Sequence, residues 1–326
     1  MATKYIGRLV DVGIGKEAVR GAGAVATQWL PKTNITVEDK VTKARSQSSF
    51  GSINMEGNQS LVAQRWSEGD IEMDLHDKSF GLLLLALLGN VSTSGPSDSA
   101  YTHTFTLQND SQCDSLAISV HEAGVGDLMF KLAMIESMEM TIVPEDVVKL
   151  KISFMGKKAV DSSHTVTYTA QNKFLGRHLS FKLASLTSGL NAATKININK
   201  LVLKFNKRLR ANSVLGTVEP IDFLNQAFSI EGDVEMDVTD RAYHDLMMNG
   251  SYNAVRIDLT NPQVLIGASS NPQFRLDLSR CDFEAWESQR PNDEITTQKF
   301  TFKALWDITN GNVINSCFLI NGQSSY

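Results

Sequence analysis

The sequence predicts a mainly β protein made of two tandem antiparallel β-sandwich or barrel domains, each with one short flanking α-helix. Three observations carry this. Apolar and polar residues alternate with a period of two over many segments, the pattern of a strand with one buried face. Glycine, proline and asparagine turns separate those segments. A ten-residue motif also recurs in the second half of the chain, followed by the same order of elements.

Residues 13–18 read as a flexible glycine loop after an apolar strand, with Gly21 and Gly23 following it. Residues 43–58, polar and rich in serine and glycine, read as a long loop or a protruding hairpin. Ile71, Met73 and Leu75 then alternate with Asp70, Glu72 and Asp74, which makes a half-buried strand. Lys78 to Leu88 holds helix formers without proline; His76 or Asp77 is the candidate cap, and Gly89-Asn90 the stop. Strands follow at Tyr101–Leu107, Ser115–Glu122 and Lys131–Ile142. The strand around Val148, Leu150, Ile152 and Phe154 alternates with Lys149 and Lys151 and closes the series. In the second half a strand is expected at Ile196–Phe205. Val234, Met236 and Val238 then alternate with Asp233, Glu235 and Asp237. A short helix at Arg241–Met248 is stopped by Asn249-Gly250. Strands at Ala254–Leu259 and Phe274–Ala285 and a lysine-alternating strand through Phe300 and Phe302 complete it.

The repeat aligns Gly69–Lys78 on Gly232–Arg241 without gaps. Six of ten positions are identical and three more are conservative. The elements around both copies recur in order, so the expected domains are 1–165 and 166–326, with the boundary in the polar stretch 160–176. One inequality stands out. The connection after the helix is long in the first copy (Asn90–Asp114) and short in the second (Ser251–Asn253).

Composition narrows the function classes. Of 326 residues, 42% are hydrophobic and 21% charged, as in a globular protein and unlike a disordered one. A net charge of −5 argues against a whole-surface nucleic-acid binder, which would be basic. The start shows no apolar signal region, and the longest apolar run, Leu82 to Leu88, is far below the roughly 20 residues of a membrane span. Synthesis in a cytoplasm and no membrane partner are therefore expected. Cys113, Cys281 and Cys317 are too scattered for a disulfide framework or a metal knuckle.

Catalytic patterns fail on inspection. Gly13-Ile14-Gly15-Lys16-Glu17-Ala18 fits a dinucleotide fingerprint in form, but Gly21, Gly23 and Pro31 fall where its helix would run. Gly15-Lys16 precedes glutamate rather than serine or threonine, so it is no P-loop. His121-Glu122 lacks the second histidine of a zinc-protease motif, since Val125 stands there. The six histidines are scattered and read as hydrogen-bonded surface residues. Glu136 and Glu139 read as solvated positions. No enzyme, cofactor or metal is expected. Trp29, Trp66, Trp286 and Trp306 suggest sugar stacking as an alternative, a carbohydrate-binding or adhesion module, but Trp66 and Trp306 fall in apolar strand patterns and read as core.

A duplicated β-domain without catalysis suits assembly. Two similar domains let one subunit fill two equivalent places in a ring, and strand edges become joints between subunits. The acidic faces Asp70/Glu72/Asp74 and Asp233/Glu235/Asp237 then either line a channel that repels DNA or are simply solvent faces.

At this point the chain resembles siphophage-type major tail tube proteins. The resemblance lies in Gly15-Lys16-Glu17, Gly21-Ala22-Gly23 and Trp29-Leu30-Pro31. It continues through the Gly69-Asp70 strand, Leu87-Leu88-Gly89, Tyr101-Thr102-His103-Thr104-Phe105 and the strand pair around Lys131–Phe154. It covers roughly residues 5–160; the second half joins it through the repeat. The resemblance implies β-sandwich subunits with a flanking helix, stacked as rings into a hollow tube. DNA and a tape-measure protein occupy the lumen, and tail-tip and terminator proteins bind the ends. The implied location is the virion tail, assembled in the host cytoplasm. The loop implied to join neighbouring rings corresponds here to Lys43, Ser46, Ser48, Ser49, Phe50 and Gly51. Because this chain carries two copies, the expected ring is a trimer with six quasi-equivalent domains. The rivals are a hexamer with a decorative second domain, or another ring-forming tail or injection-tube component.

Overall fold

The computed structural model describes residues 6–54 and 60–326. The first half runs β1 (Val10–Lys16), β2 (Gln28–Leu30), β3 (Lys32–Ile35), β4 (Glu38–Arg45), β5 (Ser60–Asp74), α1 (Ser79–Leu88), β6 (Gly89–Ser97), β7 (Ala100–Leu107), β8 (Leu116–Glu122), β9 (Gly126–Ile142), β10 (Lys149–Gly156) and β11 (Val160–Ser162). The second runs β12 (Leu179–Ala184), β13 (Lys200–Asn206), β14 (Leu209–Asn212), β15 (Asp222–Asn225), β16 (Ser229–Asp237), α2 (Ala242–Met248), β17 (Asn253–Thr260), β18 (Gln273–Gln289), β19 (Thr297–Leu305) and β20 (Ile314–Asn321).

Every strand pairing among the described residues is antiparallel. One long sheet has the order β4–β5–β10–β9–β13–β16–β19–β18, with β3 beside β4 on β5. The 17-residue strands β9 and β18 leave it at their N-terminal ends, where β9 pairs with β8 and β11, and β18 with β17 and β20. Strand β1 adds to β8, and β12 to β17. Odd-numbered residues of β5 such as Ile71 and Met73 face a core shared with Val12 and Ile118 from the outer strands. That apolar cluster is contiguous through both halves, and β9–β13 joins their strands into one sheet, so they are not separately cored bodies.

The pairing pattern nevertheless recurs in detail. Between β9 and β10 the register slips around Glu136; between β18 and β19 it slips around Glu284. A second slip lies opposite Leu116–Ile118 in β8 and opposite Asn253–Val255 in β17. Such bulges kink a strand and sharpen its twist, so each long strand turns from one sheet to the other at matching places. A glycine faces a phenylalanine across the strands in both halves, Gly69 with Phe154 and Gly232 with Phe302. A Cβ on Gly232 would come within 2.2 Å of the Phe302 ring, so the aromatic occupies the space a side chain would need.

Several expectations need correction. Helix α1 is not capped by His76 or Asp77. Lys78 is the N-cap without a side-chain bond, and the Gln171 side chain accepts from Ser79 N at 2.8 Å. Asp77 instead accepts both Asn172 donors, because that strap crosses it. The helix is not merely flanking: all ten residues are buried. The stops at Gly89 (φ +102°) and Asn249-Gly250 occur where the glycines predict them. Strand β13 begins at Lys200; Ile196 makes only an isolated bridge to Phe181. The lysine-alternating strand does not end the second series, since β20 follows and pairs with β18.

The expected glycine loop 13–18 is not loose: residues 13–16 belong to β1, paired with β2 and β8. The buried Glu17 carboxylate accepts from Gly21 N (2.7 Å), Gly23 N (2.8 Å), Leu132 N (3.1 Å) and Ser115 Oγ. The long connection 90–114 forms the β6–β7 hairpin, and β7 takes the edge of β20. Three histidines are buried: His76, His103 and His178. Burial pulls all three below the ordinary imidazole range. Trp306 is 48% exposed, while Trp29 is buried.

Candidate assembly surfaces

The face of the long sheet turned from the core is charged, as the alternation requires. A single row crosses seven strands: Glu72, Lys151, Glu139, Lys204, Glu231, Lys303 and Asp282, each opposite the next. Sign alternates at every step, the favourable arrangement for cross-strand pairs. Lys303 Nζ lies 3.1 Å from Glu231, Lys204 Nζ 3.1 Å from Asp233, and Lys151 Nζ 2.8 Å from Asp70 and 4.0 Å from Glu72. Asp74 pairs with Lys173 at 2.8 Å, and Asp237 accepts from Asn199. Glu235 lies beside Lys200, Lys204 and Lys299 in a shallow depression. All six predicted acidic residues thus share one face of one sheet.

They do not form an unrelieved negative band, because lysines of β10, β13 and β19 interleave. On the seven strands from β5 to β18, carboxylates still outnumber lysines on that face thirteen to six: Glu68, Asp70, Glu72, Asp74, Glu136, Glu139, Glu231, Asp233, Glu235, Asp237, Asp282, Glu284 and Glu287 against Lys149, Lys151, Lys200, Lys204, Lys299 and Lys303. The repeat extends to side-chain contacts. Ser153 Oγ donates to Asp70 at 2.7 Å, and Thr301 Oγ1 to Asp233 at 2.9 Å. For both aspartates burial opposes ionisation, but the lysine and hydroxyl donors outweigh it and hold them below the usual carboxylate range. Glu136, at the bulge, moves the other way: burial, then the charges of Glu68 and Asp70, raise it.

The predicted inter-ring segment is a hairpin. Strand β4 pairs with β5 from Glu38–Glu68 to Arg45–Ser60, so Lys43 lies in a strand, opposite Val62. Ser46, Ser48, Ser49, Phe50 and Gly51 lie beyond it and are exposed, Phe50 at 62%. The part of the expected loop at residues 55–58 lies outside the described residues.

Sequence reasoning missed a second hairpin, β14–β15, with the exposed tip 213–219. It occupies the same place in the second half, following β13 and leading into β16. Its Phe223 is fully buried in a socket with Cys113, Leu132 and Met134. Arg20 locks it there, pairing with Asp222 and donating to Phe223 O at 3.1 Å. Lys207, also fully buried, donates to Ala86 O at 2.8 Å at the end of α1, and burial lowers its pKa. The two hairpins touch: Arg65 N donates to Val218 O and Gln64 Nε2 to Ser213 Oγ. The available signal was the gap between Ile196–Phe205 and Asp233, too long for a tight turn.

The family model for phage tail tube proteins matches residues 7–302. The chain belongs to that family. A comparison with curated proteins finds no match. As a phage tail tube protein the chain is a structural component of the virion tail, not an enzyme, and it assembles with copies of itself into the tube. Its functional surfaces are therefore contacts. Among the described residues no helix is long and apolar enough to cross a membrane, and no cluster of metal-ligating side chains occurs.

Proposed function

We propose that three chains of this tail tube protein close one ring of six quasi-equivalent units, the halves 1–165 and 166–326 each forming one sandwich-like unit. The observation that carries this is the β9–β13 pairing. It continues one sheet from the first half into the second and keeps the acidic-and-lysine face on one side throughout. Six repetitions of that step make a closed wall, and one chain supplies two of them.

In this reading the charged face lines the lumen. Its excess of carboxylates repels the DNA backbone, so DNA slides without adhering. The cross-strand lysine pairs offset the repulsion that thirteen crowded carboxylates would otherwise exert on one another. The tape-measure protein fills the same lumen before DNA does. The tip 46–51 contacts the next ring, and tail-tip and terminator proteins cap the stack in the host cytoplasm. The β6–β7 tip, present only in the first half, gives three outer features per ring.

Negative-stain electron microscopy of purified protein across concentration, with mass determination, tests this. Rings or tubes of three chains per ring with three outer features are expected. Six chains per ring, or six identical features, would overturn the pseudo-hexamer and leave the tube.

A further inference from the structure

Within the chain, β9 is covered on both sides: β10 takes one edge and β13 the other, from Ser137–Asn206 to Ile142–Leu201. Strand β18 repeats β9, bulge for bulge, yet residues 282–289 pair only with β19 among the described residues. Strands β3 and β4 repeat β13, since Ile35 faces Ile71 as Leu201 faces Val234, yet among the described residues they too pair only with β5. One open edge of each kind therefore remains, and the chain itself contains their mated form. Unpaired edges of this length are normally blunted or used.

We infer that the 282–289 edge of β18 takes the β3–β4 edge of a second copy in the register by which β9 takes β13. This rests on the ring reading and names its joint. Carrying the register over sets Thr36 opposite Gln289, Val37 opposite Ser288, Glu38 opposite Glu287 and Lys40 opposite Ala285.

The hairpin that follows each edge strand supports the same partner. In the chain, Leu209 and Ala211 of β14 pack with Phe223 against Leu132, Met134 and Met155. Through the repeat, Leu132, Met134 and Met155 fall on Arg280, Asp282 and Lys303, while Leu209 and Ala211 fall on Lys43 and Arg45. Both sides change from apolar to charged together. The side chains of Lys43 and Arg45 are exposed, without an ion pair among the described residues, and Asp282 and Glu284 likewise lack one. Arg280 stacks on Tyr252 and Lys303 pairs with Glu231, which leaves Asp282 and Glu284 in the socket to meet the cationic hairpin. The joint within the chain is apolar and permanent; the joint between chains is ionic and weakens with salt. Glu38 opposite Glu287 is the one like-charge pair, flanked by Lys40, which bonds Glu38, and by Lys299, which faces Glu287.

The test uses the full chain with Thr36→Cys and Gln289→Cys, both at exposed positions, while all three native cysteines are buried. Mild oxidation is expected to link chains into a ladder that ends at three. Thr36→Cys with Ser288→Cys, slipped by one residue onto the other face, is expected to link weakly. Glu38→Lys would face Glu287 across the joint and Glu68 within the chain with opposite charge, and is expected to lower the concentration for half-assembly about fivefold. Rings without the 36–289 link, or with the slipped pair linking better, overturn this joint and leave the tube reading standing. A chain that stays monomeric at every concentration and forms no link overturns both.

Discussion

Replacing Phe223 by alanine tests whether the second-half hairpin is bound into the first half. The Phe223 side chain is fully buried and sits on β15, but the atoms around it belong to Cys113, Leu132 and Met134, with Trp66 and Met155 at the margin. An aromatic ring of this kind buries about 150–250 Å². At about 25 cal/mol per Å² that burial is worth roughly 4–6 kcal/mol as an upper bound, part of which the alanine side chain retains. Phe223→Ala is therefore expected to cost about 3–5 kcal/mol, a large share of the about 5–15 kcal/mol by which a domain is normally stable. Urea unfolding of unassembled protein, followed by fluorescence, reads it. Trp66 lies against the same socket and reports its loss directly. With a slope of about 3 kcal/mol per M the midpoint should fall by on the order of 1 M. Leu215→Ala, on the fully exposed tip of the same hairpin, is the control and should change stability by less than about 0.5 kcal/mol. A loss below about 1 kcal/mol for Phe223→Ala would refute the docking of β14–β15 and, with it, the pattern on which the joint between chains is built.

Three more predictions follow from the charged and buried groups. Asp70 and Asp233 have folded-state pKa values below their unfolded ones, so their stabilisation is complete above about pH 4 and is lost as pH falls through the lowered values; Asp70→Asn with Asp233→Asn should flatten the acid limb of Tm against pH. Glu136 is raised, so its penalty is fully present above its folded pKa, and Glu136→Gln should raise Tm slightly at pH 7 and have no effect in acid. Lys207 is lowered, so stability should climb as pH rises from its folded pKa towards about 10.4, and Lys207→Met should abolish that climb in thermal melts.

Comparing the halves shows why some features were legible and others were not. The strand Ile71–Leu75 and its counterpart Val234–Met236 were legible because a half-buried strand must alternate, and both copies kept the alternation. The six acidic residues were assigned to one kind of face for the same reason. The interleaving lysines were visible as alternating strands, but their opposition to Glu72, Glu139 and Glu231 depends on register, which bulges at Glu136 and Glu284 fix. The Glu17 loop looked flexible because its glycines were visible and the partners of Glu17, at Ser115 and Leu132, are distant in sequence. Trp306 looked like core because it ends an apolar strand, yet that strand stops at Leu305 and the ring is left in solvent.

The β class, the repeat, the charged face and the family resemblance can be read from the chain alone, because they follow from local periodicity and from order along it. Folding in three dimensions is what joins the halves in one sheet through β13, buries α1 on every side, and carries Phe223 and Lys207 of the second half into the first. Those contacts join residues far apart in the chain. No local pattern encodes them, because the free energy that selects them comes from burying surfaces that meet only once the chain has folded.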